Sequence, residues 1–161
     1  MFRKYLLLVR LPNTFTAPSN ILTGYFAVIL PWHANVSVLA ILMISSALLY
    51  VSGIVFNDFF DIEIDRKERP FRPLPSNEVT KQKALIIAAT SMIIANVLAS
   101  AAGTASLVVA IILSATIIGY DYRLKRTMAG PVTMGSARFL NIFWVQAQGL
   151  QDCSFIMIIF C

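Results

Sequence analysis

No Asp, Glu, Lys or Arg occurs from position 11 to 57 or from 84 to 120, and both silent stretches are too long for one ordinary buried helix. Pro31-Trp32-His33-Ala34-Asn35 divides the first into 16–32 and 36–57, and Gly103-Thr104 divides the second. Each part is near the ~20 residues that carry a helix across ~30 Å of hydrocarbon. A fifth segment begins near Pro131 and runs through Met134, Phe139, Ile142 and Trp144. It loses its apolar character over 146–152 and regains it from Phe155 to Cys161. The first fifteen residues are basic, then briefly apolar, with Arg10 interrupting and no small-residue cleavage site following. They read as an interfacial lead-in helix rather than a signal peptide. The pattern predicts an all-α, polytopic transmembrane helix bundle of about four to five spans.

Composition agrees: 58% of the 161 residues are hydrophobic and 13% charged, unlike a soluble domain of this length. Cys153 and Cys161 have no CxxC or Cys/His spacing, which gives neither a disulfide framework nor a zinc site. The net charge of +5 is not a nucleic-acid footprint, because the basic residues do not form a stripe interleaved with aromatics. They gather instead in alternate connections. Arg3, Lys4 and Arg10 lie in the lead-in; Arg66, Lys67, Arg69, Arg72, Lys81 and Lys83 follow span two; Arg123, Lys125 and Arg126 follow span four. By the positive-inside rule the N-terminus and both charged loops are cytoplasmic. Trp32, Tyr120 and Trp144 fall near expected span ends and read as aromatic-belt residues. Only Arg138 lies elsewhere, inside the fifth span, where a charge is costly and faces a bundle interior or snorkels to an interface. His33 lies in the opposite turn and reads as structural. Ser45, Ser46, Ser52, Thr90, Ser91, Asn96 and Ser114, with small residues such as Ala88 and Gly53, are expected to bridge helices.

The chemistry concentrates at the end of span two, in Asn57-Asp58-Phe59-Phe60-Asp61-Ile62-Glu63-Ile64-Asp65. On a helix continuing out of the span, Asn57, Asp61 and Asp65 share one narrow face and Asp58 flanks it. Oxygen donors so placed suit a hard divalent cation such as Mg²⁺, which takes one or two carboxylates and completes its octahedron with water and phosphate oxygens. The competing reading is a solvated helix end whose acids pair with Arg66, Lys67 and Arg69. Next comes Arg69-Pro70-Phe71-Arg72-Pro73-Leu74-Pro75-Ser76, whose prolines favour extended backbone. As a polyproline helix it places Arg69 and Arg72 on one side, roughly 9 Å apart, able to hold a diphosphate against the metal. The alternative is a rigid turn whose arginines pair with Glu63, Glu68 or lipid headgroups. Lys125 and Arg126 add a second positive wall at the same membrane face.

These residues resemble the UbiA superfamily of intramembrane prenyltransferases, whose first signature reads approximately N-D-x-x-D-x-x-x-D followed by R-P-x-R-P-[LI]-P-S-G. Asn57-Asp58, Asp61 and Asp65 match its first part and 69–76 its second; Tyr120-Asp121 with Leu124-Lys125-Arg126, then Gly130 and Gly135, resemble the segment after the family's fourth helix. The resemblance extends from about Phe2 to Trp144. It implies a bundle of roughly nine spans in which Mg²⁺ on Asp-rich helix ends binds the diphosphate of a polyprenyl donor. By position, Asn57, Asp61 and Asp65 correspond to metal ligands, Asp61 and Asp65 being the central catalytic acids. Lys125, Arg72 and Arg126 correspond to diphosphate ligands, with Arg10 and Asn13 as further candidates. The acceptor, aromatic or lipid, is left open.

Two departures matter. Asn77 stands where the family has glycine, and Asn is the next residue to tolerate a left-handed backbone. After Glu78 the chain has only Asp121 and Asp152 as acids, so the family's second Asp-rich motif has no counterpart here. The expectation is one membrane domain over 1–161, with a lead-in (1–15), family-like spans (16–144) and an atypical tail (145–161), truncated at its C-terminal side. A non-catalytic carrier or binding half, or an inactive fragment, is the alternative that this implies. A CDP-alcohol phosphotransferase also uses Mg²⁺ on Asp-rich helix ends. It needs a D-G-x-x-A-R run, which is absent, and it leaves 69–76 without a purpose.

Overall fold

The computed structural model describes residues 3–28 and 35–160, and among them every regular element is helical. The order is α1 (Arg3–Leu8), α2 (Leu11–Thr14), α3 (Thr16–Val28), α4 (Val36–Phe60), α5 (Ile62–Glu68), α6 (Lys81–Ala102), α7 (Thr104–Tyr122), a 3-10 turn (Leu124–Arg126) and α8 (Gly130–Phe160). The turn expected around Trp32 and His33 lies outside the described residues. Three described helices, α4, α6 and α7, are long and apolar enough to cross a membrane. Their outer faces expose Ile44, Ile86, Ile93, Val97, Val108 and Ile111, side chains that suit lipid and not water. The chain is an integral membrane protein.

Local chemistry sets the helix limits. The Asn35 side chain accepts from the amides of Ser37 and Val38 and starts α4; Thr80 does the same for α6 through Lys83. Gly103, at φ 142°, makes the sharp turn from α6 into α7. The fifth segment is one helix, Gly130–Phe160, continuous through 146–152, where the hydrophobic pattern weakens.

The helices are held by small residues and a few buried hydroxyls. Ser45 and Ser52, two turns apart on α4, donate to the carbonyls of Ala95 and Ala88 on α6, at 2.6 and 2.9 Å. The equal spacing of donors and acceptors records an antiparallel pair. Ala84, Ala88, Ala95 and Ala99, all at 0% exposure, let the backbones approach closely enough for these bonds. Asn96 on α6 donates to Ser114 on α7 at 2.9 Å. Ser46 on α4 donates to Asn141 on α8 at 2.8 Å, and Asn141 donates in turn to the Ala17 carbonyl on α3 at 3.2 Å. One amide thus ties three helices. Bridging by Ser45, Ser46, Ser52, Asn96 and Ser114 is as the sequence suggested, whereas the Thr90 hydroxyl bonds within its own helix.

Trp144 is a correction. It is not a belt residue but a core one, at 0% exposure, packed in the cluster that contains Tyr25, Leu42, Leu49 and Leu113. Because α8 runs on to Phe160, Trp144 falls near its middle, where the helix faces the bundle.

Candidate functional site

The acidic segment does not continue out of span two as one uniform helix. α4 ends at Phe60, and Asp61 adopts φ −95°, ψ 9° before α5 begins. Hydrogen bonds still cross the break, from Asp61 N to Asn57 O (3.0 Å) and from Asp65 N to Asp61 O (2.8 Å), so the chain bends without losing its ladder. The bend divides the polar side chains into two pairs.

Asn57 and Asp61 form the first pair. The Lys125 Nζ donates to Asn57 Oδ1 at 3.1 Å and to Asp61 Oδ2 at 2.7 Å, and Arg126 reaches Asp61 Oδ1 at 3.3 Å. The two charged loops therefore meet. Phe60 and Tyr122, edge to face with centroids 5.9 Å apart, pack the ends of α4 and α7 together and fix this approach. The 3-10 turn after α7 then aims Lys125 and Arg126 back at the acids.

Asp58 and Asp65 form the second pair, joined by Arg72, whose Nη1 lies 3.2 Å from Asp58 Oδ1 and 2.6 Å from Asp65 Oδ2. Arg10 binds the same Asp58 oxygen at 2.6 Å. Arg10 sits at φ 48°, a left-handed turn between α1 and α2, and this bend in the lead-in brings its side chain to Asp58. The carboxylates here are almost closed off, at 3% for Asp58 and 5% for Asp65, against 20% for Asp61. The second pair is a frame that ties the lead-in, α4, α5 and the following loop together; the first is open to a ligand.

The segment 69–76 is a run of turns, not a polyproline helix. Arg72 N donates to Arg69 O, Ser76 N to Arg72 O, and Asn77 N to Leu74 O. Pro73, Leu74 and Pro75 are buried, and burial of these side chains curls a backbone whose φ angles alone would permit extension. Asn77 takes φ 60°, the left-handed conformation expected of it. Arg69 is exposed and makes no ion pair among the described residues, so the expected side-by-side pair with Arg72 is not formed. Glu63 is met by Arg66 and Lys81.

A cavity of about 820 Å³ opens between α3, α4, α7 and α8. Asn57 and Arg10 belong to both the charged groups and its wall, so those groups border a chamber whose apolar lining includes Leu49, Ile54, Leu113 and Ile117. Asn13 and Tyr120 also line it. So does Asp121, at 3% exposure and with no ion pair among the described residues. Sequence reasoning passed over Asp121 as one acid in a basic loop. Besides its place in the Tyr120-Asp121 element of the family resemblance, its sequence signal is that it follows a charge-free run directly, on the end of α7 and not in the loop.

Among the described residues no three His, Cys, Asp or Glu side chains converge as a metal cluster, and Asp58, Asp61 and Asp65 are each paired with a cation. The donor chemistry of the first pair nevertheless fits Mg²⁺. Asn57 and Asp61 present an amide and a carboxylate oxygen to one positive centre, the Lys125 ammonium, and Mg²⁺ takes one or two such ligands alongside water and phosphate oxygens.

The chain is similar in sequence and fold to known proteins. Residues 18–160 fit the family described as the UbiA prenyltransferase family. The digeranylgeranylglyceryl phosphate synthase of Metallosphaera sedula is 32% identical over 141 residues, 87% of this chain and 49% of that protein. That of Saccharolobus solfataricus is 29% identical over 143 residues, 88% of this chain and 50% of its own length. A solved structure, reported for structural and mechanistic insights into digeranylgeranylglyceryl phosphate synthase in membranes, superposes with a TM-score of 0.86 at 26% identity. It covers 91% of this chain and 53% of the other. The chain spans about half the length of the curated relatives it matches.

Proposed function

The chain belongs to the UbiA prenyltransferase family, and from that premise we propose that it supplies the donor-binding half of an enzyme that moves a polyprenyl group from a prenyl diphosphate to a glycerophosphate lipid within the membrane. The acceptor class follows the names of its relatives. The activity is assigned to the protein that joins these spans to a counterpart of the relatives' other half. Residues 1–161 are one membrane domain in this reading, with the lead-in and both charged loops on the cytoplasmic side.

The observation that carries the proposal is the convergence of Lys125 and Arg126 on Asn57 and Asp61, at the rim of an apolar cavity. Four cations, Arg10, Arg72, Lys125 and Arg126, stand among four carboxylates, Asp58, Asp61, Asp65 and Asp121. A magnesium diphosphate adds little net charge to such a set, and its oxygens can take over the bonds that the cations now give to the acids. Asn57 and Asp61, joined by Asp65 once Arg72 has turned from it to the diphosphate, are the residues that would hold Mg²⁺; when bound, it would supply Lewis-acid stabilisation of the leaving group. Asp58 stays with Arg10 as the frame.

Lys125, Arg126 and Arg72 then bind the diphosphate oxygens, with Arg69, Arg10 and Asn13 as outer contacts, and favour the negative charge that grows as the allylic C–O bond breaks. The prenyl chain lies in the apolar cavity, whose walls exclude water from the electron-poor carbon. The acceptor hydroxyl oxygen bonds to that carbon, the diphosphate leaves with the electron pair, and the hydroxyl proton passes to Asp121. The test is ligand protection of the gene-encoded protein in zwitterionic nanodiscs. Prenyl diphosphates should raise its unfolding temperature only with Mg²⁺ present. Equal protection by a prenyl alcohol, or none by any prenyl diphosphate, would overturn the reading.

A further inference from the structure

Arg138 belongs to none of the three basic segments, and the donor site has no use for it. It lies eight residues into α8, roughly 12 Å along the axis from Gly130, and makes no ion pair among the described residues. An unpaired charge on the helix expected as a fifth span is costly unless the bundle interior offers it something. Here its direction is fixed. Asn141, three residues on and therefore on the same helix face, is locked to Ser46 of α4 and Ala17 of α3. That lock turns Arg138 onto the cavity wall, which Asn13, Thr16, Asn20 and, five residues earlier on α8, Thr133 also line. The Thr16 and Thr133 hydroxyls give their hydrogens to the Asn13 and Ala129 carbonyls, and Asn141 has its oxygen and one amide hydrogen committed to helix contacts. The donors this stretch of wall can turn to a ligand are therefore the Arg138 guanidinium and the Asn13 and Asn20 amides.

We propose that Arg138 binds the phosphate of the acceptor lipid, making a second anion site in the same cavity, separate from the diphosphate site at Lys125 and Arg126. The inference rests on the prenyl-transfer reading above and names the group that selects its acceptor. A guanidinium with two side-chain amides on the same wall matches a phosphate monoester, which Arg holds with two parallel bonds, while the threonine oxygens, having given away their hydrogens, can still accept from a glycerol hydroxyl. Its offset along α8 leaves room for two anions, one on each substrate. The phosphate anchors the acceptor's polar end and its glycerol hydroxyl faces the donor carbon.

The experiment compares wild type, Arg138→Gln and Arg138→Lys of the gene-encoded protein in zwitterionic nanodiscs. Two things are measured: KM for each substrate, and equilibrium binding, without donor, of a prenylglyceryl phosphate and of the same lipid without its phosphate. Arg138→Gln should weaken acceptor binding roughly 10- to 100-fold and raise acceptor KM equally. Donor KM should stay within about twofold, with part of the loss recovered by Arg138→Lys. The phosphate-free lipid should bind weakly, and alike, to all three. An equal rise in both KM values, or unchanged acceptor binding, overturns the inference. A loss of thermal stability in both variants without any difference between phosphorylated and neutral lipid overturns it too, in favour of a structural partner. The binding arm decides the matter even if no prenyl transfer is detected, in which case it is the functional reading that fails.

Discussion

Lys125 and Asp61 are 64 positions apart in sequence, and their charged atoms lie 2.7 Å apart. The Lys125 side chain is only 10% exposed, so this ammonium is largely withdrawn from water and depends on its partners. A ligand with denser negative charge can replace those partners, a carboxylate-rich protein wall cannot be removed, and the pair is thereby poised for exchange. Replacing Lys125 with Met should weaken prenyl diphosphate binding by about 10- to 100-fold, the worth of one charge-assisted bond. Titration of donor against thermal unfolding in Mg²⁺ measures it; an unchanged midpoint would remove Lys125 from the site.

The same reasoning separates Asp61 from Asp58. Asp58 receives Arg10 and Arg72 on one oxygen and is nearly closed to solvent. Asp58→Asn leaves two guanidinium groups without their shared counter-charge. The expected cost is about 3 kcal/mol, the low end for breaking a buried pair, since Arg10 is 34% exposed and partly screened. Asp61→Asn leaves the Lys125 ammonium with the Asn57 oxygen and no carboxylate, so it should cost less than Asp58→Asn, about 1–2 kcal/mol, and abolish Mg²⁺-dependent turnover. Reversible unfolding in mixed micelles, run beside an activity assay, checks both. If Asp58→Asn is as stable as wild type and Asp61→Asn is not, the frame and the ligand site have been exchanged.

Packing offers a check independent of function. A Cβ on Gly24 of α3 meets the Ile142 carbonyl oxygen of α8 at 2.5 Å, whereas one on Gly135 of α8 meets nothing within 4 Å. Gly24→Ala must push two helices apart and should destabilise by about 1–3 kcal/mol. Gly135→Ala relieves helix backbone entropy and should be neutral or stabilising by up to about 1 kcal/mol. Equal effects from the two would mean that α3 and α8 do not approach as described.

How much of this was legible follows from which forces act locally. The absence of charge over 11–57 and 84–120 reports the membrane directly, because a bilayer excludes charge wherever the helix faces it. Ser45 and Ser52 could be assigned to helix contacts for the same reason. The bend at Asp61 could not be read, since it depends on how Phe60 packs against Tyr122 on another helix. Nor could the course of 69–76. Proline limits φ but leaves turn and extended forms both open, and burial of Pro73, Leu74 and Pro75, together with the bonds of Arg72 to Asp58 and Asp65, selects the turn. Trp144 was misplaced because belt position was judged from distance along an expected span, and α8 is 31 residues long.

Asp121 carries the last expectation. It is buried, lines the cavity and has no ion pair among the described residues, so the fold tolerates a carboxylate where an apolar side chain would cost less. If it receives the acceptor's proton, Asp121→Asn keeps the shape and loses the base. The expected result is a fall in kcat of about 10²–10⁴-fold, with donor affinity within twofold of wild type. If instead it only balances Lys125, the same change raises the net positive charge at the rim, tightens diphosphate binding and leaves kcat nearly intact. Measuring kcat and donor affinity on one preparation of Asp121→Asn therefore distinguishes a proton acceptor from a counter-charge, because the two roles move different quantities.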